Sequence, residues 1–140
     1  MTTSKSADPM IAPAGPTSPA ANIAVLQGRL TSEPTRRELP SGRAVVQFDI
    51  STQIVDGERV ASVSSPVAWL DAGEAACAAL VAGGEYLVVG SVRRRFFRVG
   101  GATQSRTEVV ADQVIKASRR KQVDAALAEV ISRLGVAKIG

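Results

Sequence analysis

The run Arg93-Arg94-Arg95-Phe96-Phe97-Arg98 packs four guanidinium groups and two aromatic rings into six residues. Alternate side chains of an extended strand share a face. Arg93, Arg95 and Phe97 therefore fall on one face, and Arg94, Phe96 and Arg98 on the other. Guanidinium groups bind phosphates and stack on planar rings. An exposed ring offers a nucleobase a surface to lie on, whatever its sequence. The competing reading is a solvated charge run whose two phenylalanines fold into a core. The residues just before it, Tyr86 to Val92, are apolar and β-branched apart from Gly90 and Ser91, so the basic run continues a buried strand.

Composition narrows the chemistry. The 140 residues contain no histidine, which removes the commonest general base and the commonest metal ligand. A lone acidic pair, Asp56 and Glu58, flanks Gly57, and there is no Walker loop, CxxC or nucleophile elbow, so neither an enzyme nor a metal or cofactor site is expected. The single cysteine, Cys77, excludes an internal disulfide and suits a small apolar helix position. No apolar run reaches the roughly 18 residues of a membrane span. The N-terminus lacks the pattern of a secretory signal. A cytoplasmic protein follows as the default. Formal net charge is only +4, but from Gly84 to Lys121 nine basic residues face three acids. That local concentration is the electrostatic footprint of a polyanion partner.

The positioning elements can be read in order. Residues 1–21 carry Pro9, Pro13, Pro16 and Pro19 among Ala, Ser and Thr, and are expected to be disordered. Residues 22–31 alternate as a strand, with Gly28 marking a bend or bulge. After a turn at Leu39-Pro40-Ser41-Gly42, residues 43–52 alternate again around Val46, Phe48 and Ile50. Asp56-Gly57 is a hairpin turn, returning the chain into a strand over 59–70 that Pro66 marks as an edge or bulge. Asp71 is expected to cap a helix running to about Ala82, with Gly83-Gly84 as its stop. The long basic strand follows, then Gly100-Gly101 and a last strand over 104–117. Three strands, a helix and two strands predict an all-β, five-stranded antiparallel OB-fold barrel, with the helix between strands three and four. Residues 119–140 form an amphipathic helix and tail. Val123, Ala126, Leu127, Val130, Ile131 and Leu134 make a stripe that packs on the barrel or on another subunit.

With these residues in order, the chain resembles the bacterial single-stranded DNA-binding proteins. The matching landmarks are Asn22 to Pro34 in the opening strand, Ser41-Gly42 and Ala44 to Ser51, Leu80 to Gly83, Val89-Gly90, Arg93-x-Arg95-x-Phe97, and Thr107 to Ala111. They cover residues 22–118. The resemblance implies an OB-fold that assembles into a homotetramer, with a dimer as the alternative for this chain, and binds single-stranded DNA without chemistry in replication, repair or recombination. It implies that Arg93 and Arg95 meet phosphates and that Phe97 and Trp69 stack bases. Arg29, Arg43 and Arg98 are further candidates for the groove, while Tyr86, Phe48 and Phe96 are expected to be structural. Two positions where the family often carries tryptophan, Val63 and the Val55-Asp56 region, are not aromatic here. The family's acidic, hydrophobic tip is absent from the ending Gly135 to Gly140, so recruitment of replication or repair enzymes through such a tip is not expected. The alternative is an OB-fold module whose groove takes RNA or a protein.

Overall fold

Alternating apolar residues in Ala24–Leu30 build strand β1, and the same pattern in Ala44–Asp56 builds β3. Between them lies a short strand, β2 (Thr35–Glu38). Arg59–Leu70 forms β4, Glu74–Ala78 helix α1, Glu85–Val99 β5, Ala102–Lys116 β6 and Arg120–Arg133 helix α2. The computed structural model describes residues 20–135. Nearly all of the segment expected to be disordered, and the end of the tail after α2, lie outside the described residues.

The strands follow the order β1-β5-β6-β4-β3-β2, and β1 also pairs with β3. Five strands thus close into a barrel, with β2 hung outside on β3. Closure brings β1 and β3 together at Arg29–Ser51 and Leu30–Ile50. Gly28 is needed at this seam, because a Cβ there would overlap the Ser51 carbonyl. The turn at Asp56-Gly57 occurs as expected, joining β3 and β4 in a ladder from Val45–Leu70 to Asp56–Arg59.

The expected all-antiparallel pairing fails at one junction. β4 and β6 run parallel, from Val67–Val109 to Trp69–Ala111. The reason is parity: strands that alternate up and down cannot close a ring of five without one like-directed pair. Pro66 sits one residue before this seam, where β4 has a partner only on its β3 side, and its missing N–H costs no ladder bond there.

Two other expectations need correction. β2 was not anticipated, because Thr35-Arg-Arg-Glu38 is exposed throughout and carries no apolar alternation. Helix α1 is shorter than Asp71 to Ala82, and its N-cap is Gly73, with no side-chain cap. Asp71 is instead held at φ 61 at the end of β4, where its N–H donates to the Ala44 carbonyl and its carboxylate takes the Arg43 guanidinium at 2.6 Å. Asp71 thus stands two residues before the N-cap, with both carboxylate oxygens turned to Arg43.

The core has two layers. Inside the barrel, Leu30, Val46, Ile50, Val67 and Val88 pack together with Phe48 and Tyr86. Outside it, Val123, Ala126 and Val130 of α2 cover Leu87 and Val89 of β5. The amphipathic stripe therefore packs on the barrel, although Ile131 and Leu134 stay exposed. Burying a valine fully contributes about 1.5–3 kcal/mol, so α2 is a substantial part of the domain's stability. It runs back along β6, with Gln113 donating to Glu129 and Arg133 lying 3.8 Å from Asp112.

Candidate nucleic-acid interface

β5 and β6 form one antiparallel ladder from Tyr86–Lys116 to Val99–Ala102. Its two ends have different surroundings, one buried and one exposed. On β5, Tyr86 and Val88 face the barrel interior while Leu87 and Val89 face α2. Continuing that alternation puts Arg93, Arg95 and Phe97 on the α2 side, past the last turn of the helix. Opposite them on β6 stand Glu108, Arg106 and Gln104. The chain leaves the barrel at a register shift beside Gly90, where Val89 faces Gln113 but Gly90 faces Ala111. A Cβ on Gly90 would overlap the Val110 carbonyl. The Asn22 side chain locks this exit, accepting from the Val92 N–H at 2.9 Å and donating to the Val92 carbonyl at 2.7 Å.

Beyond that point the hairpin carries the predicted basic face. The guanidinium of Arg93 is exposed, and its Nε donates to Ser91 Oγ at 3.1 Å. Arg95 is half-buried, 3.6 Å from the Glu108 carboxylate, and its guanidinium carbon lies 5.9 Å from the centre of the Phe97 ring. Glu108, 7% exposed, is the one buried charged residue among those described. Arg95 Nε is buried without a partner. Pinning of this kind holds both the cation and the ring in place before any ligand arrives. Its cost is that Glu108 offsets one of the positive charges. Neither Glu108 nor Arg106 was singled out from the sequence; the signal that finds them is their cross-strand register with Arg93 and Arg95, which is non-local.

The seven candidate residues do not converge. Arg98 lies on the opposite face of the hairpin from Phe97, its guanidinium donating to the Gly101 carbonyl at 3.0 Å. Trp69 shares the interior face of β4 with Val67, and packs against the barrel core. It lines a cavity of about 380 Å³ with Leu80, Tyr86 and Val114. Trp69 is half-buried there, at a cavity that none of the other candidate residues lines. Arg29 faces outward beside Glu85, the first residue of β5, at 3.9 Å, at the far end of that strand from the basic run. Arg43 is engaged by Asp71: their hydrogen bond, and then the carboxylate's charge, raise the arginine pKa, while the same bond and the guanidinium charge hold the carboxyl below its usual range. Phe96, expected to be structural, is 65% exposed. Tyr86 is structural, its hydroxyl accepting from the Val81 N–H and donating to the Ala79 carbonyl at the end of α1. No group of His, Cys, Asp or Glu among the described residues is arranged to hold a metal. No helix among them is long and apolar enough to cross a membrane.

Comparison with known proteins decides the family. The model of the single-strand binding protein family matches residues 21–116. The chain belongs to this family. Its matched segment runs from just before β1 to the end of β6, so α2 lies outside it. No curated protein matches. Among solved structures, one described as a Plasmodium falciparum SSB complex with ssDNA is similar, at a TM-score of 0.60 and 18% identity. The similarity covers 71% of this chain and 97% of that one, and shows that the family's barrel is shared.

Proposed function

We propose that this chain binds single-stranded DNA without regard to sequence and without chemistry, using the α2-side face of the β5–β6 hairpin. The observation that carries this reading is the alignment of Arg93, Arg95 and Phe97 along one face of the hairpin, Arg93 exposed and the other two half-buried, in a member of this family. Arg93 and Arg106 meet phosphates, and a base stacks on the accessible part of the Phe97 ring. Arg95, fixed between Glu108 and Phe97, orients that ring and lends it positive charge. Arg98, on the other face of the hairpin, lies outside this contact. Arg29 and Arg43, each beside a carboxylate, contribute less. Trp69 contributes through the stability of the barrel.

The domain reading behind this takes residues 22–118 as the binding domain and 119–140 as helix and tail. Coating and protecting single strands in the cytoplasm during replication, repair or recombination is the corresponding role. Ile131 and Leu134 on α2 and the outer edge of β2 leave surface for a second copy, as a homotetramer or homodimer would use. Light scattering of the purified chain tests the assembly.

The binding test is anisotropy of labelled oligo-dT across a salt series. Releasing counterions from a single strand gives a slope of about −0.7 per phosphate neutralised. Binding to oligo-dT with such a slope, and equal binding to mixed sequences, is expected. A protein that ignores oligo-dT and retains oligo-rU or a protein partner overturns the reading.

A further inference from the structure

We propose that the second face of the β5–β6 hairpin, Arg94, Phe96 and Arg98, is a binding face for single-stranded DNA in its own right. One hairpin then holds two consecutive segments of a strand, one on each side. This rests on the reading of the first face given above.

Phe96 is 65% exposed, although a phenyl ring in water has nothing to gain there from packing. Its neighbours on the same face are Thr107, Ser105 and Thr103, opposite Arg94, Phe96 and Arg98 respectively. All six are exposed, and none is a carboxylate. Arg94 forms no ion pair among the described residues, whereas the first face spends Arg95 on Glu108. Arg98 uses one nitrogen on the Gly101 carbonyl, which fixes the side chain and leaves the rest of its fork to solvent. The face thus offers a flat ring between two guanidinium groups with no competing anion. That is the chemistry of a base between phosphates. A protein partner would have to supply carboxylates at the same spacing as well as a pocket for the ring; a flexible polyanion supplies both charge and planar groups.

The faces are back to back, so a strand occupying both must turn. The hairpin permits this, because β5 loses its β1 partner after Gly90 and the tip is Gly100-Gly101, which carries no side chain to obstruct passage. Two phenylalanines in succession, otherwise an odd choice for a solvated ribbon, then place one ring on each side.

The test compares two variants of the full chain, R94Q/F96S/R98Q and R93Q/F97S, on oligo-dT of roughly 8 and roughly 30 nucleotides, lengths that bracket a single OB site. All five positions are outside the barrel, and matching melting curves verify folding; F96S alone serves if the triple variant melts early. The second-face variant is expected to bind the short oligomer like the parent, to lose on the order of tenfold on the long one, and to occlude fewer nucleotides. Crosslinking with an iodouracil-containing long oligomer is expected to mark both Phe96 and Phe97. Parental affinity of the second-face variant for the long oligomer, with the first-face variant weakened, overturns this inference and leaves the primary site standing. An equal loss on both lengths overturns the two-segment arrangement. Parental binding by the first-face variant overturns the primary reading and this inference with it.

Discussion

The two halves of β5 share one alternation and meet opposite surroundings. From Tyr86 to Val89 each face is covered, one by the barrel interior and the other by α2. From Arg93 to Val99 neither face is covered except where Arg95 and Phe97 shelter one another. A two-stranded ribbon is marginal in water by itself. The distal half persists because it is the continuation of strands anchored in a barrel, with the Asn22 clamp at the exit. Stability and binding are thus assigned to consecutive stretches of the same strand, which makes them separable by mutation.

The largest expected effect is on the anchored half. Gly90→Val forces a side chain into the Val110 carbonyl, and should cost about 3 kcal/mol or more; a melting curve reads it, with DNA binding lost as the barrel opens. Val123→Ala, at a site 1% exposed under α2, should cost about 2 kcal/mol of stability. Oligo-dT affinity should be unaffected, and a loss of affinity there would show that α2 takes part in binding.

The distal half should respond the other way. Phe97→Ala should weaken oligo-dT binding by about 1–3 kcal/mol with no change in salt slope. Arg93→Ala should flatten that slope by about 0.7 at unchanged melting temperature. Arg95→Ala should flatten the slope and also lower the melting temperature, because it leaves the buried Glu108 without its partner, at about 1–2 kcal/mol of stability. Glu108→Gln is the sharper probe, since freeing the Arg95 charge should steepen the slope. If Arg95→Ala and Arg93→Ala behave alike, the pinning by Glu108 has no consequence.

The smallest effect belongs to Asp71, whose carboxyl is held below its usual range by the Arg43 hydrogen bond and charge. A lowered folded-state pKa means the stabilisation is present above the ordinary carboxylate range and fades as pH falls through Asp71's own lowered value. Asp71→Asn tolerates the positive φ and should shift the urea midpoint slightly at neutral pH, and not at all in strong acid.

Much of the barrel was legible because its strands alternate, its turns carry Asp-Gly and Gly-Gly, and α2 keeps a clean helical stripe. What was not legible depends on partners distant in sequence. The parallel β4–β6 seam follows from closing an odd ring, a property of no single segment. Asp71 has the look of a cap until Arg43, 28 residues earlier, is known to claim it. In the site, alternation sorted the arginines and phenylalanines into two sets correctly, yet it could not say which set faces α2 or that both sets meet solvent, and so Phe96 was misjudged. Nor could alternation say which way β4 faces: Trp69 shares its face with Val67, toward the barrel interior, and stands half-buried there.

The register shift beside Asp112 has one more consequence. Core-facing residues of β6 are Val109 and Ala111 before it and Val114 after it, an odd-to-even change that a single surplus residue accounts for. A chain one residue shorter here would return to plain alternation with both faces still in phase, and would lose only the bend and extra twist that a bulge gives the ribbon. The spare aspartate is a phase dislocation, and the face proposed for the strand lies on the far side of it.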